Sequence, residues 1–166
     1  MKSKITPILE SIDNIANVMY QSTSNLMHWL RPRVLDDLGL QKALTGPTFE
    51  QFLNNANIMY IPKIEGDLSF LNGDITIAVY RIAQESINNT VKHSRAEHCW
   101  LSLKVDDSHT TLTIKDDGIG FDVQIINEIK NNFGLQGIED RVIALGGNNR
   151  LTTDSNGTCH IITFKN

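Results

Sequence analysis

The spacing of apolar positions along the chain changes several times, and each change predicts an element. Ile5, Ile8, Ile12, Ile15, Met19, Leu26 and Trp29 recur in steps of three and four, with Ser22 filling the one gap. That is a heptad seam, the pattern of a helix packed in a bundle or coiled coil. Thr6-Pro7 reads as an N-cap with proline in the first turn, and "LRPR" ends the helix. A single seam cannot bury its stripe alone. The partner helix is expected from another chain, or from a segment cut away from this one.

Past the break, "LDDLGLQKALTGPTFEQFLNNAN" reads as helix, in two pieces around Gly46-Pro47. "IMYIPKIEG" reads as a strand that Pro62 confines to an edge or terminal position. "GDITIAVYRIAQESINNTVKHS" is a helix with Asp74 expected at the N-cap. "HCWLSLKVDD" and "TTLTIKDD" alternate as strands, with "DSH" as the turn between them. "VQIINEIKNN" reads as a short helix or lid segment. "GLQGIEDRVIALGG" reads as a helix ended by glycines. "NRLTTDS" and "TCHIITFKN" read as a closing hairpin around an Asn-Gly turn. Helices interleaved with mostly antiparallel strands predict a two-layer α/β sandwich, with helices on one face of a mixed sheet.

Composition narrows the function classes. The chain has 166 residues, enough for one domain with an appendage, and a formal net charge of −4. Its basic residues are scattered, so no nucleic acid and no direct contact with an anionic membrane is expected. No leader is expected from "MKSKITPILESIDN", which polar residues interrupt throughout, and no apolar run approaches the roughly 18 residues of a membrane span. Cys99 and Cys159 lack any zinc or disulfide spacing and read as reduced thiols.

Two stretches carry candidate chemistry. On a helical wheel, Val79, Ile82, Ala83, Ile87 and Val91 fall on one side, and Arg81, Glu85, Asn88, Asn89 and Lys92 on the other. A solvated face explains this pattern. So does a site, because Glu85, Asn89 and Lys92 line up one turn apart. An amide oxygen suits Mg²⁺ and an ammonium suits phosphate. The second stretch, "DDGIGFD", fails as a calcium loop, since its third position is Gly118 and its twelfth is Asn127. A simple turn accounts for Gly118 but leaves Gly120 idle. A fixed strand-end carboxylate with backbone brought close to a flat, amine-bearing ligand such as adenine accounts for both. "FGLQG" then offers amides at a helix N-terminus, where phosphates bind.

"QESINNTVKHS", "DDGIGFD" and "FGLQGIEDRVIALGG" together resemble the N, G1 and G2 boxes of the Bergerat-fold ATPases, which include gyrase, the heat-shock chaperone ATPase, the mismatch-repair ATPase and the histidine kinases. "LRPRVLDDLGLQKAL" is similar to the junction ahead of the catalytic domain in the nitrate/hexose-phosphate-sensor histidine kinases. The resemblance covers almost the whole chain, in the family's order and spacing. It implies a dimerisation helix and linker over residues 1–33 and an ATP-binding catalytic domain over 34–166. It implies that Asp116 accepts the adenine amine, that Asn89 ligands Mg²⁺, and that Glu85 acts in catalysis by orienting water or the metal shell. Lys92 and His93 would approach the phosphates. Gly118 and Gly120 would floor the adenine pocket, with Thr158 in support. Gly134, Leu135 and Gly137 would belong to the lid and helix cap. The implied cofactors are ATP and Mg²⁺. The implied partners are a second copy, through the first helix, and a response regulator reached through a phosphohistidine. The implied location is the cytoplasmic portion of an inner-membrane parent.

The sequence departs from the family pattern twice. Asn132 stands where the second glycine box usually starts with glycine; asparagine is the next-best residue for positive φ. None of the five histidines is followed by Asp or Glu, so no phosphoacceptor motif is present. His28 lies off the seam and reads as a surface residue, and the acceptor helix is expected to have been removed. Two alternatives stay open: an anti-sigma-type serine kinase of the same fold, or a non-catalytic nucleotide-binding module.

Overall fold

The computed structural model describes residues 31–122 and 133–166. The heptad helix, the "VQIINEIKNN" segment and Asn132 lie outside the described residues. Arg33–Asn166 form one compact unit.

Helices α1 (Arg33–Thr45) and α2 (Pro47–Asn54) divide at Gly46-Pro47, because proline favours the first helical position and cannot continue the helix before it. A second break was not read from sequence: Gly39, at φ 73° and ψ 165°, kinks α1. Strand β1 (Met59–Gly66) precedes a 3₁₀ turn (Leu68–Phe70) and helix α3 (Gly73–Asn89). Strands β2 (His98–Val105) and β3 (His109–Asp116) form a hairpin. Helix α4 (Phe133–Ala144) and the hairpin β4 (Asn148–Asp154) and β5 (Gly157–Lys165) complete the unit.

The five strands lie in the order β1-β2-β3-β5-β4. Among the described residues, only the β1–β2 pairing is parallel. Strand β1 therefore sits at an edge, as Pro62 requires. Period-two alternation puts Cys99, Leu101, Leu103 and Val105 of β2 into the core, with Leu112 and Ile114 of β3 and Ile162 and Phe164 of β5. The helices supply Leu44, Leu53, Val79, Ile82, Ile138 and Val142 to the same cluster. Burying each such side chain stabilises by about 1.5–3 kcal/mol.

Two local expectations are corrected. The N-cap of α3 is Asn72, not Asp74: the Asn72 Oδ1 accepts the Ile75 amide at 2.8 Å, while Asp74 lies inside the first turn. The closing turn is Ser155-Asn156, not Asn156-Gly157. Asp154 pairs with Gly157, and the Asp154 Oδ1 accepts the Asn156 amide at 2.7 Å. That side-chain bond holds the turn without positive φ at Asn156. The glycine end of α4 is as expected. Gly146 (φ 64°) turns left-handed, and the Gly147 amide donates to the Val142 carbonyl at 2.9 Å, the Schellman closure.

Candidate functional site

Helix α3 does not stop where its regular hydrogen bonding does. It continues as one π turn, Thr90–Ser94, and ends at Arg95 with φ 55°. The wider turn carries Thr90 and Ser94 into the interior, where both are buried. The Ser94 hydroxyl donates to the Thr90 carbonyl at 2.7 Å and accepts the Ala96 amide at 3.0 Å. Single π turns recur at functional sites because they re-aim side chains without ending the helix.

The end of β3 meets this turn. Asp116 is buried, 6% exposed. Its Oδ1 accepts the Gly118 amide at 2.9 Å and the Thr158 amide at 3.3 Å, and its Oδ2 accepts the Thr90 hydroxyl at 3.4 Å. Burial pushes the carboxyl above its ordinary range. The three hydrogen bonds pull it back in part, and the neighbouring Asp117 adds to the rise. Asp117 does a different job. It accepts the Glu97 and His98 amides at 2.9 and 2.8 Å and meets His98 Nδ1 at 2.7 Å, fixing the start of β2. Desolvation works against that carboxylate, and the His98 and Glu97 hydrogen bonds more than offset it.

The two glycines of "DDGIGFD" answer to two different neighbours. A Cβ on Gly118 would sit 2.2 Å from the Ser94 carbonyl oxygen, and the next amide, Ile119, donates to that same oxygen at 2.8 Å. Gly120 has φ 58°, and a Cβ there would sit 2.0 Å from the Asp154 carbonyl oxygen. The first glycine admits α3 and the second admits the β4 end. Between them the loop closes a pocket wall.

These elements enclose a cavity of about 340 Å³. Its helix wall is Ser86, Asn89, Thr90, His93 and Ser94. Its sheet wall is Ile114, Asp116, Leu151, Thr158 and His160, and Gly120, Phe121 and Leu135 border it. Of the residues expected from sequence, Asn89, His93, Asp116, Gly120, Leu135 and Thr158 line the cavity together. Glu85, Lys92, Gly118, Gly134 and Gly137 do not. Glu85 lies beside the cavity against Gly134: a Cβ on that glycine would be 2.4 Å from Glu85 Oε1 and 3.4 Å from Asn89 Nδ2. Gly118 packs behind the wall. Gly137 is in the second turn of α4, its carbonyl accepting Arg141 Nη1 at 2.7 Å. Lys92 is exposed.

Four polar lining residues, Ser86, Thr90, Ser94 and His160, were not read from the sequence. The signal was present. Ser86, Thr90 and Ser94 recur every four residues on the flank of the apolar stripe, and His160 shares the inward parity of Thr158 on β5. His160 is 4% exposed, and burial lowers its pKa to about 4, against a smaller upward pull from Glu139. Its Nε2 meets Asn149 Oδ1, and Asn149 Nδ2 donates to Glu139 Oε2. A carboxylate only accepts, so the amide nitrogen must face Glu139. The imidazole proton is then on Nε2.

Residues 74–166 match the histidine kinase-, DNA gyrase B-, and HSP90-like ATPases, over more than half of the chain. The chain belongs to that ATPase family. Among its relatives are the sensor histidine kinase ComP of Bacillus subtilis, 33% identical over 92% of this chain and 19% of that protein, and the kinase/phosphatase DegS of the same species, 36% identical over 75% and 33%. The kinase/phosphatase UhpB of Salmonella typhimurium is 33% identical over 82% of this chain and 27% of its own length. The chain thus spans about a fifth to a third of these relatives. Among solved structures, the Acinetobacter baumannii histidine kinase AdeS superposes with a TM-score of 0.58 at 16% identity, covering 95% of this chain and 83% of that one. Full-length ShkA in complex with AMPPNP gives 0.61 at 15% identity, over 75% and 28%. At these identities the likeness shows the fold, a mixed α/β sandwich shared with histidine kinase ATPase domains.

As a member of an ATPase family the chain carries a nucleotide-binding domain, and the cavity can be tested against that ligand. It contains a fixed acceptor, Asp116, beside a backbone pared to glycine. It also contains an orphan: the Ser86 hydroxyl is buried and has no hydrogen-bond partner. A buried polar atom left so costs about 1–3 kcal/mol, and a ligand that brings a partner removes that cost. The residues fit an adenine nucleotide. For the metal, no cluster of three or more His, Cys, Asp or Glu occurs among the described residues. Mg²⁺ bound with a nucleotide usually takes one or two protein ligands and fills its shell with water and phosphate oxygens; Asn89 in the cavity lining and Glu85 beside it would be those protein ligands.

Proposed function

We propose that this chain is the ATP-binding kinase core of a two-component sensor histidine kinase. It would transfer the γ-phosphoryl group of MgATP to a histidine on a bundle helix bearing a His-acid pair. The observation that carries this reading is the buried Asp116. Its side chain is already held by Gly118, Thr158 and Thr90 and still lines the cavity. A carboxylate there accepts the adenine amine and repels the guanine carbonyl. Kinship with sensor kinases of the ComP, DegS and UhpB type supports the histidine as acceptor.

The division of labour follows from the walls. Asp116 and Thr158 select and orient the base. Asn89, with Glu85 beside it, would hold Mg²⁺, which when bound neutralises phosphate charge and aligns the transferred group. His93 on the cavity rim and Lys92 next to it would meet the phosphates. Gly134 and Leu135 at the α4 N-terminus offer backbone amides, and Gly134 does so without side-chain bulk. Positioning and charge neutralisation supply most of the catalysis in phosphoryl transfer, so no covalent step falls to this chain.

The heptad seam of residues 5–29 supports a homodimer through that helix, and the kinase reading adds a response regulator as the acceptor of the phosphoryl group from the histidine. No helix among the described residues is long and apolar enough to cross a membrane. The reading places this part of the parent protein in the cytoplasm. The experiment is transfer in trans: the chain plus γ-labelled ATP plus a fragment with the His-acid helix should give an acid-labile phosphoprotein. Glu85→Gln and Asn89→Ala should each lower its yield. The chain alone should label weakly or not at all. Strong labelling of the chain alone that disappears in His28→Ala would overturn this assignment of the acceptor. Ile12→Asp with Met19→Asp should shift a dimer to monomer in light scattering, and an unchanged mass would reject the helix as the dimer contact.

A further inference from the structure

The geometry points to Ser86 as a base-contacting residue of the nucleotide site, donating its hydroxyl hydrogen to a ring nitrogen of the bound purine. This rests on the nucleotide reading above and goes beyond it, since that reading leaves the base to Asp116 and Thr158.

Three observations lead there. Ser86 is 8% exposed, lines the cavity, and its Oγ has no hydrogen-bond partner. Serine at a mid-helix position commonly bonds back to the carbonyl one turn earlier. Ser94, on the same helix face, does this with Thr90, whereas Ser86 does not. The hydroxyl is thus turned from the one local partner the helix offers, and the cavity is what it borders.

Its place on α3 decides which part of the ligand it meets. Thr90, one turn on, reaches Asp116 Oδ2 at 3.4 Å, so the Ser86–Thr90 stripe abuts the base-selecting carboxylate. The neighbouring stripe, Glu85–Asn89, lies against Gly134 at the phosphate side. A hydroxyl on the Asp116 side meets the heterocycle. Unlike a carbonyl or carboxylate it can donate, and purine ring nitrogens are acceptors. Asp116 takes the amine's hydrogen while Ser86 supplies one, so the two contacts together read a donor and an acceptor on the same ring.

The test uses the fact that an unpaired hydroxyl harms the empty protein and helps the loaded one. In the full chain, Ser86→Ala should raise the Tm without nucleotide, by about 3 °C, and weaken ADP binding about five- to tenfold by calorimetry. A hydroxyl with a purely structural role would lower the Tm of the empty chain instead, and that result rejects the proposal. ADP analogues with one ring nitrogen replaced by C–H identify the contact. One analogue should bind the parent chain about five- to tenfold more weakly than ADP and bind Ser86→Ala as well as ADP does. Equal losses in both chains for every analogue would overturn the direct contact. Asp116→Ala is the control. If it loses ADP while Ser86→Ala binds with parental affinity, the Ser86 role fails and the nucleotide reading stands. If the parent chain binds no ADP, the nucleotide reading fails and the Ser86 role with it.

Discussion

The two ends of the cavity are finished to different degrees. At the Asp116 end the fold supplies its own bonds: Gly118, Thr158 and Thr90 all hold the carboxylate, and Gly118 and Gly120 lock the loop against two separate backbones. At the Asn89 end the side chains are half-exposed or exposed, His93 on the rim with Lys92 next to it, and Glu85 and Asn89 beside a glycine. One end is set by folding. The other is a collection of groups whose geometry a ligand must complete. On the proposed reading, the fixed end would select the base and the more open end would meet the phosphates and adjust as a phosphoryl group leaves.

Substitutions at the two ends should therefore fail differently. The largest effect is expected from Asp116→Ala, which should lower ADP affinity by about ten- to a hundredfold by calorimetry, a charged hydrogen bond being lost. The parent should bind ATP and ADP but not GTP, and equal ATP and GTP affinity would break the assignment of this end to base selection.

The sheet wall should also show itself in acid. His160 has its folded pKa lowered to about 4 from 6.5, so the unfolded chain takes up the proton first. Its contribution to stability is complete above pH 6.5 and is lost as pH falls toward 4, about 3 kcal/mol in all. Asp116, whose carboxyl burial raises, opposes this loss in acid. The measurement is thus a difference: urea midpoints at pH 7 and 4.5 for the parent and His160→Leu. The variant should show the smaller drop, and parallel drops would remove His160 from the account.

Gly118→Ala should cost about 2 kcal/mol in denaturant unfolding, since its Cβ meets backbone and not a yielding side chain. Asn89→Ala should do least to the fold, within about 0.5 kcal/mol, while removing the Mg²⁺ dependence of ATP affinity. Undiminished Mg²⁺ dependence in that variant would mean the metal is held elsewhere. A large loss of stability would mean the phosphate end is as built-in as the base end.

The same contrast governs what the sequence made legible. Strong periodicity and local chemistry were readable: the Gly46-Pro47 break, the Pro62 edge strand, the inward parity of β2 and the glycine end of α4. That Asp116, Asn89 and Thr158 gather at one cavity was readable because they lie in ordered motifs. What escaped reading depended on partners far along the chain. Nothing in "TVKHS" announces a π turn, because that turn exists where Gly118 lets the β3 end close on Ser94. His160 looked like one more alternating strand residue until Asn149 and Glu139 from β4 and α4 met it. The N-cap moved to Asn72 because two residues, Asn72 and Asp74 on either side of Gly73, could each cap, and only the chain's entry direction chooses between them.

The π turn also has a consequence for how this segment tolerates change in length. It holds one residue more than a regular helix would over the same path. Deleting a residue between Thr90 and Ser94 would restore an ordinary ladder, and by local propensity alone it would be a gain. It would also remove the bulge that re-aims the side chains of this turn, so the residues left before Arg95 would no longer present both the Ser94 contact with Gly118 and the His93 side chain to the cavity. A shorter chain here would keep its helix and lose its site, so a deletion that looks harmless in secondary structure is the one this helix can least accept.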